Sequence, residues 1–269
     1  MRNNKGFLKY PGLRLSVRLS TNLLISCVAA NTPVPPALTK LRNDLEPFLN
    51  KDDPKWKLSG LVVKYANLQG QIQDGCLFGS DIITRTLELD REYISLAENM
   101  PSAWLYITTY LGEDSEGVLD RHFDTYADHH ITQTWNVLRT MRILLNDIIR
   151  TYCSSRNSGI TTDTIDFIAK EICATAPQYT GYEDATPKSK NRSEIQRLRC
   201  YTLLSPLYIA GLFASSTTRI KPWIVKQLRF MANEIGIRNA NIVAEILERG
   251  DRTSPWDVYA ILGSYAFAA

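Results

Sequence analysis

The sequence predicts an all-α protein, a single irregular helical bundle, on three observations. Apolar residues recur at three- and four-residue intervals in one segment after another, and proline and glycine stand at several of the segment ends. No stretch alternates apolar and polar residues long enough to matter as a strand. The 269 residues, 44% hydrophobic and 22% charged, suffice to bury a sizeable core, and no repeat of fixed period divides them.

The elements follow in chain order. Arg2, Lys5, Lys9, Arg14 and Arg18 precede the first acidic residue, Asp44, so residues 1–18 form a basic N-terminal segment, set apart from a helical region over residues 19–269. Basic residues ahead of the apolar Leu23 to Ala30 resemble a targeting peptide. Ser20, Thr21 and Asn22 interrupt the apolar stretch that a signal core requires, however, and the expectation is a buried helix ending near Asn31. Thr32 to Pro36 is a stiff connector. Ala37 to Leu49 and Leu58 to Gln73 read as helices split by Lys51 to Lys55, where Asp52 and Asp53 before Pro54 suit a turn better than a metal pair. Gly75 to Gly79 is a break, and Ser80 to Asn99 a further helix with Pro101 beyond its end.

Ile131 to Tyr152 carries the clearest stripe: Trp135, Leu138, Met141, Leu145, Ile148 and Tyr152 step by three or four residues. Thr161 or Thr162 followed by Asp163 starts a helix through Cys173, and Gln178 to Asn191 is a polar loop. Ser193 to Arg199 leads into "LLSPLYIAGLFASS". From Tyr201 to Phe213 this run is about 13 residues long, short of the roughly 20 a bilayer needs, so it belongs in a core. Pro206 falls in its first turn, and the small Ala210 and Gly211 predict a close helix contact. Pro222 stands at the start of a helix striped by Ile224, Leu228, Met231 and Ile235 and closed by Gly236. Asn239 to Arg249 repeats the device, ended by Gly250, and Ser254, Pro255 and Trp256 open a short last helix.

Chemistry is sparse in this sequence. With 31 basic and 28 acidic residues the net charge of +3 creates no strong field for a polyanion, so nucleic-acid binding needs a local motif. Cys27, Cys76, Cys153, Cys173 and Cys200 are scattered and odd in number, which fits buried reduced thiols better than a zinc cluster or a disulfide framework. No GxSxG, HExxH, P-loop or Rossmann glycine pattern occurs, and no cofactor is implied. His122, His129 and His130 in "DRHFDTYADHH" lie beside Asp120, Asp124 and Asp128, ligand types that a metal-dependent hydrolase uses. On a helix His122 and His129 would share a face; the competing reading is a solvated helix start whose acids favour the N-terminal end. The basic tract Lys188 to Arg199 lacks the interleaved aromatics of a single-strand binder and reads as a solvated loop and helix face.

A family resemblance adds what periodicity does not. "LLSPLYIAG" followed by "KPWIVKQLRFMANEIGIRNANIVAEILERG" resembles the regulatory region of fungus-specific transcription factors, at Leu204, Pro206, Leu207, Ala210, Gly211, Pro222, Trp223, Leu228, Gly236, Ile237, Ala240 and Leu247. "ENMPSAWLY", with Pro101 and Trp104, is similar too, as is "QTWNVLRTMRILLNDII" with Trp135, Asn136, Arg139, Arg142 and Leu144. So are "LSTNLLISCVAANTPVPP" and "DDPKWKLSGLVVKYANLQGQI", and the likeness runs from about Leu19 to Gly250 in the family's order.

The resemblance implies a non-enzymatic transcription regulator in the nucleus that binds protein partners, a coactivator or a DNA-binding transcription factor, and takes up a small-molecule effector. Members of the family usually add an N-terminal zinc cluster of six cysteines that reads DNA. That cysteine run is absent from this sequence, and direct DNA binding is not expected of it. Trp104, Trp135, Arg139 and Trp223 are the candidate lining of an effector pocket; as aromatic and helix-face residues they serve equally as core anchors.

Overall fold

The computed structural model describes residues 11–153, 158–181, 194–250 and 253–262. Residues 1–10 of the basic N-terminal segment lie outside them, as do residues 188–193 of the basic tract and most of the polar loop after Gln178. The helical class expected from the sequence is the class observed, with one small sheet added. Among the described residues no helix is long and apolar enough to cross a membrane. Contacts divide the chain into two compact units between Glu98 and Asn99, where the sequence offers only the stop signal of Pro101.

The first unit contains α1 (Pro11–Ala29), α2 (Pro36–Leu45), α3 (Pro54–Gln73) and α4 (Ser80–Glu98). Arg14 and Arg18 belong to α1, whose Leu24, Cys27 and Val28 are buried. Helix α3 begins at Pro54, a turn earlier than the periodicity indicates. The Asp53 side chain accepts from the Lys55 amide at 2.8 Å and Pro54 occupies the first helical position, where its missing N–H costs nothing. The connector between α1 and α2 lies against α3. Asn67 accepts from the Val34 amide at 2.8 Å, and a Cβ on Gly70 would stand 2.5 Å from the Pro33 ring, so only glycine fits there.

The second unit opens with a feature the sequence conceals. Tyr106–Tyr110 (β1) and His122–Tyr126 (β2) form an antiparallel hairpin, with Tyr106 opposite Tyr126 and Tyr110 opposite His122. The expectation of no strand is corrected here, and so is the placing of His122 on a helix with His129. The helices are α5 (His129–Tyr152), α6 (Ser158–Ala174), the single turn α7 (Pro177–Thr180), α8 (Glu194–Tyr201), α9 (Leu204–Phe213), α10 (Ile220–Asn233), α11 (Arg238–Arg249) and α12 (Pro255–Leu262).

Helix α9 is the hub of this unit. Every residue from Leu204 to Gly211 is buried, because α5, α6, α10, α11 and α12 all pack on it. A helix apolar on all sides is stable only in such a setting. A Cβ on Gly211 would come within 3.1 Å of a Leu247 methyl, which is the close contact with α11 that small residues permit.

Candidate functional site

The most polar part of the second unit's interior is built around Arg139. Helix α5 places it one turn after Trp135, and its guanidinium carbon lies 5.3 Å from the Trp135 ring centre and 5.2 Å from that of Tyr106 on β1. Arg139 is 1% exposed. Its Nη1 donates to the Tyr126 hydroxyl at 2.7 Å, while Nη2 lies 3.7 Å from Asp124 and 3.5 Å from Glu171 of α6. Thr108 donates to the other Asp124 oxygen at 2.7 Å, and the Trp135 indole donates to the Trp104 carbonyl at 2.8 Å.

Burial alone would lower the arginine's pKa, but Tyr126, Glu171 and Tyr106 raise it further, and the guanidinium stays charged. Burial likewise pushes the Tyr126 hydroxyl well up, with Arg139 pulling the other way. Gln178 of α7 completes the arrangement: its carbonyl accepts from the Tyr126 amide at 3.0 Å and its amide donates to the Tyr126 carbonyl at 2.8 Å. One side chain thus serves β2 as a neighbouring strand would.

The structure therefore brings Trp104, Trp135 and Arg139 together as the clamp that holds the hairpin on α5. Trp223 belongs elsewhere. It lines an open cleft of about 410 Å³ between the β1–β2 loop and the start of α10, together with Glu116, Leu119, Asp120, Pro222 and Lys226. The indole of Trp223 and the amide of Gln227 both donate to the Glu116 carbonyl, at 3.2 and 3.1 Å. Lys226 pairs with the Glu116 carboxylate at 2.8 Å and holds its pKa below the usual range. Asp120 receives Lys170 at 2.7 Å and Arg219 at 3.4 Å; burial raises its pKa, these cations and His122 lower it, and the net is a lowered value.

The wall of this cleft is strained. Asp120 and Arg121 take left-handed φ of 51° and 58°, conformations that cost non-glycine residues about 1 kcal/mol or more each. The ion pairs and the Glu116 anchor hold the loop in that shape. Such sites of sustained strain cluster where proteins bind ligands or switch.

The three histidines do not form a ligand set. His122 lies on β2 with its ring 5.9 Å from that of Tyr110, and His129 packs edge-on against Tyr179 at 5.6 Å. His130 is exposed at the start of α5, where its amide donates to the Asp128 cap at 2.6 Å. Among the described residues no group of three or more His, Cys, Asp or Glu is placed to hold a metal ion.

Sequence reasoning names Asp120 only as a metal-ligand type and Gln178 only as the start of a polar loop, and it passes over Glu116, Lys226, Gln227 and Glu171. For Glu116 a local signal exists, since "LGEDSEG" has the glycines and acids of a turn, the hairpin's own connection. The others are polar residues on helices, distinguished only by what the fold sets against them. No family model, curated protein or solved structure matches this chain.

Proposed function

We propose that this chain is a transcription regulator of the kind its sequence resembles, working in the nucleus through partner contacts. The cleft over Trp223 carries the reading. Pro222 and Trp223, from the stretch in which the resemblance is densest, both line it. An occupant lying on Trp223 would compete with the bonds from Trp223, Gln227 and Lys226 to Glu116, and release of that anchor would free a loop held in left-handed backbone. Differential affinity of a small effector or a coactivator segment for the two loop states is then a switch. The Arg139 clamp keeps the strands beside the loop fixed while the loop responds.

The test is transcript profiling of a deletion strain beside localisation of a tagged chain. Nuclear accumulation is expected, with a defined set of transcripts changed, and Trp223→Ala combined with Lys226→Glu should reproduce the deletion pattern at normal protein level. A tagged chain excluded from nuclei, or a deletion that leaves the transcripts unchanged, would overturn the reading.

A further inference from the structure

Strand β1 presents an open edge. The Leu111 amide donates to the Arg121 carbonyl at 2.7 Å, in the register that pairs Tyr110 with His122 and Thr108 with Asp124. Antiparallel ladders alternate hydrogen-bonded and non-bonded pairs, so Ile107 and Thr109 turn their backbone groups toward β2. Tyr106, Thr108 and Tyr110 therefore aim their amides and carbonyls outward. Among the described residues no other backbone group meets that edge.

The side chains agree with the backbone. Leu105 is 54% exposed, Ile107 73% and Tyr110 78%. Proteins ordinarily guard such an edge with lysine, proline or a bulge. No charged residue occurs between Glu98 and Glu113, and β1 itself contains neither proline nor bulge. Its inner face is meanwhile fixed by Tyr106 against Trp135, with ring centres 5.3 Å apart, and by Thr108 on Asp124. The edge is held extended before any partner arrives, which lowers the entropy cost of pairing.

We infer that β1 is a self-association edge that takes β1 of a second copy of the chain, antiparallel across a two-fold axis. A neutral strand has no charge by which to select an acidic or basic peptide, whereas laid against its own copy it meets no like-charge penalty. Centring the axis on Thr108 sets Tyr106 opposite Tyr110 of the second copy and engages every outward amide and carbonyl. In that register Ile107 faces Thr109 of the second copy as a close, non-hydrogen-bonded pair. Five residues per strand make a small interface, so the dimer forms in a concentration-dependent way.

Sedimentation of the purified chain over a concentration series tests this, with Ile107→Lys as the edge variant. A monomer–dimer equilibrium is expected, weakened at least about tenfold by the like charges that the lysine of each copy brings to diagonal positions across the seam, with an unchanged circular dichroism spectrum. In a Cys76→Ser background, the pair Ile107→Cys and Thr109→Cys should oxidise to a covalent dimer far faster than Ile107→Cys alone, which decides the matter if the lysine variant fails to fold. A chain that stays monomeric, a dimer indifferent to Ile107→Lys, equal cross-linking by the single cysteine, or a monomer whose edge instead captures an added extended peptide would each overturn the inference.

Discussion

Helix α9 and the β1–β2 hairpin lie in one compact unit and are held by opposite means. Around α9 the contacts are apolar and many, with Leu204, Leu207 and Ala210 at 0% exposure among side chains from five helices. Along the hairpin the anchoring runs through a few polar atoms: one guanidinium, one glutamine amide, one threonine hydroxyl. Dispersion and burial are spread over many weak contacts, and a shape-preserving change in α9 is absorbed. A buried charge is concentrated in a single residue, and its removal strands whatever it neutralised.

That contrast can be broken or sharpened in order of effect. Arg139→Ala should cost about 3–5 kcal/mol in urea unfolding, since Asp124 keeps its buried carboxylate with no cation beside it. Arg139→Lys should lose less, keeping the charge without the fork, and adding Asp124→Asn to Arg139→Ala should restore part of the loss. If the alanine variant is as stable as the parent, the clamp is ornamental. Leu207→Ala should cost about 2–5 kcal/mol by leaving a cavity, whereas Leu207→Met should cost under about 1.5 kcal/mol. A methionine variant as damaged as the alanine variant would show that α9 is shape-critical, like the clamp.

Gln178→Ala removes both bonds to the Tyr126 backbone and should cost about 1–3 kcal/mol, with faster amide exchange at Tyr126 than elsewhere in the unit. The smallest effect is expected at Asp120. Its folded pKa is lowered from the ordinary 3.8, so its contribution is fully present above that value and is lost as pH falls through the lower folded one. Asp120→Asn should therefore lower stability by a small amount at neutral pH, where the contribution is whole, and make almost no difference at pH values below the folded pKa, so that the acid limb below about pH 4 is flattened. An unchanged acid limb would remove Asp120 from the set of residues that hold the loop.

The helices were legible where burial repeats locally. Ile224, Leu228 and Met231 on α10 and Val243, Ile246 and Leu247 on α11 announce a buried face from sequence alone. The start of α3 is legible only in part, because Asp53 and Pro54 suit a turn and equally form a cap and first helical residue. The hairpin was not legible. Its strands are five residues each, and β2 buries Phe123, Asp124 and Tyr126 on both faces, so no alternation survives to be read. The pairing of Trp104, Trp135 and Arg139, with Trp223 at a separate cleft, was hidden for the same reason: each was a plausible pocket residue by type, and only the fold says which ones meet.

By itself the sequence determined that the chain folds as helices, where most of them lie, and that "LLSPLYIAGLF" sits in a core. Those properties follow from periodic burial and local capping, which act over a few residues. Tertiary structure decided that a hairpin carries His122, that Arg139 is its clamp, and that the Glu116 loop covers Trp223. These depend on groups brought together from distant parts of the chain, whose energies exist only once burial has removed water from between them.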